Sequence, residues 1–174
     1  MNMNMNMNLS LALADPVLDR EHAVLAQLID DLRHACAGSN VVALDALRAH
    51  AREHFAQEDE DLRAMAGGNA KCHIDEHAAV LRSLQEVRDV LTDPQSDGPM
   101  QQLLVKRLSS QLLQWLPAHV QEMDAAVATH RAKSRFGGVP VRLPRHTAKI
   151  NRVCAATGAM DPDRPATTQS GTNV

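Results

Sequence analysis

Seven candidate metal ligands stand out in the first 124 positions of this chain, most of them in pairs. Six of them belong to three short stretches, HFAQE, CHIDEH and HVQEMD, and the seventh lies upstream. The whole set is His22, His54, Glu58, His73, His77, His119 and Asp124. Side chains four positions apart share one face of a helix, so the first two stretches each direct two donors the same way. Imidazoles and carboxylates together suit borderline divalent metals, iron first. Seven donors exceed the needs of one octahedral ion, which predicts a site for two irons.

The elements that must position these donors are helices separated by short breaks. Asp15-Pro16 has the residue types of an N-cap and a first helical position. Helices are expected over about 16–36, 41–65, 70–91 and 100–132, with Gly, Asn, Asp and Pro in the breaks between them. Short connections make neighbouring helices antiparallel, so the sequence predicts an all-α, up-down-up-down four-helix bundle.

The candidate ligands also share one depth in such a bundle. Counted from the end where the first helix begins, each lies roughly 6 to 18 Å along its helix at a rise of 1.5 Å per residue. Histidines scattered for solubility would have no reason to share a level. The spacing and the depth together predict a single site.

The ordered set of motifs resembles the hemerythrin family, in particular its single-domain bacterial members. A histidine follows acidic residues in Asp19-Arg20-Glu21-His22, and HFxxE, HxxxH and HxxxxD follow in that order over residues 16 to 132. HxxxH alone is a weak motif, whereas the ordered set is specific. The resemblance implies reversible binding of dioxygen at a non-haem di-iron centre.

The resemblance also implies a role for each ligand. One iron would be bound by the three-histidine group, which consists of His73, His77 and His119. The other would be bound by the two-histidine group, which consists of His22 and His54. Glu58 and Asp124 would bridge the two irons together with an oxo or hydroxo group. The iron with two histidines would keep an open position for dioxygen.

Five residues beside the ligands would wall the oxygen position in proteins of this kind: Leu25, Phe55, Trp115, Leu116 and Val120. The other interpretation is that they fill the bundle core, and the two are compatible. The chain has no Tyr, and no aromatic residue precedes the first helix. Gly67-Gly68 lies where a Tyr is common in the family, so a less tightly closed pocket is expected.

Two features of the last helix depart from a regular ligand pattern. Pro117 removes one helical hydrogen bond and should kink the helix just before His119. His119 and Asp124 are five positions apart, about 140° around an ideal helix. They cannot bind from one face without reach or distortion.

Four further histidines lie off the motif. His34, His130 and His146 are expected to be surface or hydrogen-bonded core residues. His50, four positions before His54, is either a neighbour of the ligands or solvated. Asp59 occupies the position where a second glutamate often follows the bridging one.

The chain outside the bundle differs in composition. The predicted bundle comprises residues 15–132. Residues 1–14, before it, are a low-complexity extension with a Met-Asn repeat, and residues 133–174, after it, are a basic tail that is predicted to be flexible. The tail has seven Lys and Arg and two Asp, which gives a net charge of +5. Residues 1–132 have eleven Lys and Arg and nineteen Asp and Glu, which gives a net charge of −8. This asymmetry would suit a protein partner, while nucleic-acid binding is not favoured. With no basic secretory segment and no apolar run of membrane-spanning length, a cytoplasmic protein without a membrane partner is predicted.

The functional prediction is therefore a dioxygen carrier, store, scavenger or sensor rather than an enzyme. A di-iron oxidase or iron-storage protein of the ferritin type is the alternative, but that class uses Glu-x-x-His pairs, and the chain has none. A phosphotransfer bundle with one exposed His would not need seven donors at one level.

Overall fold

Five helices and one π-helical turn make up the described part of the chain, residues 11–65 and 69–137 of a computed structural model. The helices are α1 Pro16–His34, α2 Asn40–Ala64, α3 Ala70–Thr92, α4 Gly98–His119 and α5 Ala125–Arg135, with the π-helical turn Val120–Asp124 between the last two. Because α4, the π turn and α5 are continuous, they form the fourth helix of the predicted bundle, and the all-α architecture is confirmed. The Met-Asn repeat, Gly67-Gly68 and residues 138–174 lie outside the described residues.

Contacts at the two ends of the bundle show how the chain direction alternates. At one end Gln102 of α4 donates to the Ala35 carbonyl oxygen, 3.1 Å away, and accepts from the Asn40 side chain at 3.0 Å. At the other end Arg131 Nε lies 2.6 Å from Asp61 Oδ2. The end of α1 therefore meets the starts of α2 and α4, and the end of α2 meets α5, as an up-down-up-down bundle requires.

The start of α1 is capped as its sequence predicts. Asp15 Oδ1 accepts hydrogen bonds from the backbone N–H groups of Val17, at 3.0 Å, and Leu18, at 3.3 Å. Pro16 has no N–H to satisfy at the first helical position. Just before this cap Leu11 and Leu13 are buried, so the described part of the predicted extension packs onto the bundle.

The apolar core fills the bundle on both sides of the level of the candidate ligands. In α1 the buried side chains recur at helical spacing: Leu18, His22, Leu25, Ala26, Ile29 and Leu32. Residues of α2, α3 and α4 complete the core toward the end farther from the candidate ligands, among them Leu44, Leu47, Leu84, Val105 and Leu108. Among the described residues, no helix is long and apolar enough to cross a bilayer.

Candidate metal centre

All seven predicted ligands converge in the interior of the bundle. Each is at most 3% exposed: His22, His54, Glu58, His73, His77, His119 and Asp124. They come from α1, α2, α3, the end of α4 and the π turn, so every helix of the bundle contributes. Polar side chains of this kind are rarely buried so completely without paired charges or bound metal.

The local geometry of the helices brings the paired donors together. His54 and Glu58 of α2 are four positions apart, and their nearest side-chain N and O atoms are 3.6 Å apart. His73 and His77 of α3 are also four apart, with ring centroids 4.5 Å apart. These pairs follow from α-helical spacing alone.

The pair His119 and Asp124 depends on a departure from α-helix. The residues from Val120 to Asp124 form a π-helical turn, in which hydrogen bonds join positions five apart instead of four. This change of period returns Asp124 to the face of His119, and Asp124 Oδ1 lies 3.3 Å from His119 Nε2. The distortion expected from the spacing is therefore present, and it follows Pro117, which lacks the N–H of a regular helix.

The three-histidine group is compact. His119 Nε2 lies 3.3 Å from His73 Nε2 and 3.2 Å from His77 Nε2. The Nε2 atoms of all three rings therefore face a common point. These three rings, Glu58 and Asp124 can each offer one ligand atom within 4.8 Å of one another.

The two carboxylates lie between the three-histidine and two-histidine groups. Asp124 Oδ1 is 2.9 Å from His73 Nε2, while Asp124 Oδ2 is 3.1 Å from His22 Nε2. Glu58 Oε2 is 3.4 Å from His77 Nε2, while Glu58 Oε1 is 3.7 Å from His22 Nε2. Asp124 thus presents one oxygen to each group, while Glu58 Oε2 lies within 3.6 Å of both His77 Nε2 and His54 Nε2. Both carboxylates therefore reach both groups, as a bridging ligand needs.

Most of these polar atoms make no hydrogen bond of acceptable geometry, although they are buried and close to one another. Both oxygens of Glu58, both oxygens of Asp124 and Nε2 of His22 and of His54 are in this state. Leaving so many buried polar atoms unsatisfied is costly in a protein interior. Metal cations bound at this point would satisfy them, so the residues present fit a metal centre.

The ionisation of the histidines reflects both burial and the carboxylates. Burial lowers the pKa values of His54 and His77 to about 3. Burial acts in the same direction at His22 and His119, but close contacts with carboxylates, Asp124 first, raise their pKa values to about 9. Contact with the carboxylates thus favours the protonated form of these two imidazoles, whereas burial favours the neutral form of the other two.

The pKa values of the two carboxylates, Glu58 and Asp124, are shifted in opposite directions. Burial raises the pKa of Glu58 above its usual value. Burial would also raise the pKa of Asp124, but the contacts with His119, His22 and His73 lower it well below its usual value. Asp124 is therefore the more firmly ionised carboxylate: its three imidazole contacts, at 2.9 to 3.3 Å, are closer than the three of Glu58, at 3.4 to 3.7 Å.

Sequence reasoning missed one side chain in contact with a ligand and left another without a role. Glu76 of α3 accepts a hydrogen bond from Trp115 Nε1–H at 2.7 Å, and its other oxygen lies 3.5 Å from His119 Nδ1. Asp59 Oδ1 accepts from His77 Nδ1–H at 2.9 Å. The available signal was position, since Glu76 is next to His77 and Asp59 is next to Glu58.

The aromatic residues of the predicted oxygen pocket contact the imidazoles. The Phe55 ring stacks on His77 with centroids 4.1 Å apart and an interplanar angle of 6°. Trp115 is half-buried, and its ring lies 4.3 Å from that of His119. Trp115 therefore contacts the three-histidine group. Leu25, Leu116 and Val120 are buried in the core, and their role in an oxygen pocket stays a prediction.

The histidines off the motif lie outside the cluster where they are described. His34 is exposed and His130 is half-buried, while His146 lies outside the described residues. His50 is bonded to the Glu21 carbonyl oxygen, 3.1 Å away, and its ring is nearly parallel to that of His54 at 6.1 Å. His50 is thus a neighbour of a candidate ligand and is not part of the convergent set.

A helical bundle that buries five imidazoles and two carboxylates around one point defines a metal-binding protein. Comparison with known proteins agrees: the family model described as the hemerythrin HHE cation binding domain matches residues 13–130. A bacteriohemerythrin of Ralstonia nicotianae is 35% identical over 119 residues, which cover 68% of this chain and 82% of that protein. No solved structure matches.

The chain belongs to the hemerythrin family. The family implies a non-haem di-iron site and a function of the oxygen-binding type, and the His, Glu and Asp cluster fits both. The predicted family, drawn from the order of four motifs, is confirmed.

Proposed function

We propose that this protein binds dioxygen reversibly at a di-iron centre. The observation that carries the proposal is the unequal division of five histidines around two shared carboxylates. In the three-histidine group, the Nε2 atoms of His73 and His77 lie within 3.3 Å of His119 Nε2. The two-histidine group contacts the same carboxylates separately. Two histidines and two shared carboxylates would leave an iron at the two-histidine group with a position free for dioxygen.

The irons would be bound by the residues already described and would supply the electrons that dioxygen binding requires. The three-histidine group would bind one iron and the two-histidine group the other. Glu58 and Asp124 would serve both, because the oxygens of each lie within 3.7 Å of imidazole nitrogens of both groups. Their negative charge would offset that of two cations in an interior of low dielectric constant.

The apolar surroundings of the two-histidine group favour reversible binding of dioxygen over its irreversible reduction. Leu25 and Ile29 of α1 are both at most 2% exposed, and Phe55 is 2% exposed beside His54. Apolar side chains cannot donate protons, and they exclude water from the site. A ligand held there would be shielded from the protons that promote its irreversible reduction.

The ferritin-type alternative is less well supported by the arrangement. That class surrounds its metals with four glutamates and two histidines, whereas this interior has five histidines and two carboxylates. The two additional carboxylates near the cluster, Asp59 and Glu76, face the Nδ1 atoms of His77 and His119, while the Nε2 atoms of those rings face the centre. They are therefore not placed as metal ligands.

The test is a reversible change in the absorption spectrum. The full-length protein, loaded with iron and reduced under argon, is mixed with air-saturated buffer and then evacuated. We expect an oxygen-dependent charge-transfer band that disappears on evacuation and returns over repeated cycles. Oxidation in the first cycle without a reversible phase would contradict the proposal and favour the oxidase alternative.

A further inference from the structure

The two histidine groups differ in what contacts their outer ring nitrogens. In the three-histidine group, His77 Nδ1–H donates to Asp59 Oδ1 at 2.9 Å. Asp59 is half-buried and lies on α2, and its other oxygen is 3.1 Å from Nη2 of the exposed Arg63. A second anchoring contact thus holds the carboxylate in place against the His77 ring.

A second carboxylate approaches the same group from α3. Glu76 Oε1 accepts from Trp115 Nε1–H at 2.7 Å, and Glu76 Oε2 lies 3.5 Å from His119 Nδ1. The indole of Trp115 also lies against the His119 ring. Trp115 therefore anchors both the carboxylate and the imidazole. Glu76 makes a charge contact with His119 and not a hydrogen bond, since His119 Nδ1 has no hydrogen-bond partner, so this contact is weaker than that of Asp59 with His77.

The two-histidine group has no comparable partners in the described part of the chain. His22 Nδ1 is buried and has no hydrogen-bond partner. The rings near His54 belong to His22, Phe55 and His50, with centroids 5.0, 5.4 and 6.1 Å away, and none of them is a carboxylate. Ion pairs of His22 and His54 with described carboxylates all run through Nε2, toward the centre of the site.

A carboxylate at the outer nitrogen has two effects on a metal-binding imidazole. It fixes the ring orientation and the tautomer, so that Nε2 is free to bind metal, and it raises the basicity of that nitrogen. Removing such a partner commonly weakens metal affinity about 10- to 100-fold. The asymmetry should therefore appear as a difference in affinity between the two halves of the centre.

From this asymmetry we infer that Asp59 and Glu76 are positioning residues that make the three-histidine group the tighter metal subsite, so that it is filled first. This inference rests on the metal-binding part of the proposed function and is independent of dioxygen binding. Asp59 has the larger effect because its contact is the shorter.

Titration of the metal-free, full-length protein with Co²⁺ under argon tests the inference. Ligand-field absorption reports each binding step, and competition with a chelator gives its affinity. We expect two equivalents, the first at least about tenfold tighter. His77→Ala should remove the tight step, and His54→Ala the weak one.

The positioning role is tested by removing charge while keeping shape. Asp59→Asn should weaken the tight step by about 10- to 100-fold and leave the weak step unchanged. Glu76→Gln should have a smaller effect on the same step, and Asp59→Glu should restore native affinity and spectrum. The matched control is Asp61→Asn, on the same helix, which loses only the ion pair with Arg131.

Three results would overturn the inference: unchanged tight binding in both Asp59→Asn and Glu76→Gln, an effect confined to the weak step, or equal weakening by Asp61→Asn. Thermal unfolding of each metal-free variant checks that the fold is retained. A protein that binds two Co²⁺ in the expected order but no dioxygen would contradict the proposed function alone. A protein that binds a single Co²⁺ would contradict both the di-iron function and the order of filling.

Discussion

His119 Nε2 lies 3.3 Å from Asp124 Oδ1, although five positions separate the two residues. An α-helix would turn Asp124 away from the centre, and the π-helical turn Val120–Asp124 returns it. Such turns are rare and are often found at functional sites. Here the turn has a specific consequence, because Asp124 is one of only two carboxylates that face both histidine groups in the described part of the chain.

The π turn predicts an unusual response to changes in chain length. Deleting Glu122, which is exposed, reduces the separation of His119 and Asp124 from five to four, a spacing that a regular α-helix places on one face. We expect this deletion to retain about two irons per chain. Inserting an alanine after Glu122 makes the spacing six and should lose metal. Elemental analysis of both proteins, with Glu122→Ala as the control, checks the prediction, and equal metal content after deletion and insertion would contradict it.

Substitutions of single residues should distinguish the candidate ligands, which are needed for iron binding, from the remaining histidines, which are not. Glu58→Ala and His77→Ala are expected to lose iron, because each removes a buried donor that faces the shared point. Since metal bound only by the folded state stabilises it, added metal should no longer raise the Tm of these variants. His34→Ala and His130→Ala serve as controls and should bind as much iron as the native protein. Equal iron content in all four variants would mean that the ligands are wrongly assigned.

Leu25 tests the predicted oxygen pocket. It is 2% exposed and lies one helical turn after His22, whereas the adjacent Val24 is 41% exposed. Leu25→Ala should admit water beside the two-histidine group and shorten the lifetime of the oxygenated protein several-fold, as measured by stopped-flow absorption. Val24→Ala should leave that lifetime unchanged. The truncation also removes core contacts and should cost about 2 to 5 kcal/mol of stability, so lifetimes are compared well below the Tm of the variant.

Asp15 should contribute to stability through the start of α1. Its carboxylate accepts from the Val17 and Leu18 N–H groups and lies 3.0 Å from Arg135 Nη2. Asp15→Ala is expected to lower the free energy of unfolding by about 1 to 2 kcal/mol, the usual effect of losing an N-cap. Urea denaturation measures this change. Asp31→Ala, which removes only an exposed contact with Gln27, is the matched control and should change stability by less.

Much of the centre could be predicted because its donors are spaced locally. His54 with Glu58 and His73 with His77 lie on α-helical faces by spacing alone, and the breaks between helices set the depth of each pair. The helix bounds found in the structure differ from the expected ones by one or two residues at most ends, within the usual uncertainty of helix termini. The number of helices, their alternating direction and the level of the site therefore followed from the sequence.

Other features were decided by tertiary structure. The contact of Glu76 with Trp115 joins residues 39 positions apart, and it depends on how α3 and α4 rotate against each other. No local spacing specifies that rotation, because the side chains of several helices determine it together. The spacing of His119 and Asp124 indicated that some distortion was needed, but the π turn that provides it, following Pro117, is visible only in the folded chain. The sequence by itself thus determined which residues could bind metal and at what depth, while the packing of the helices decided which of them share a carboxylate and which have an outer partner.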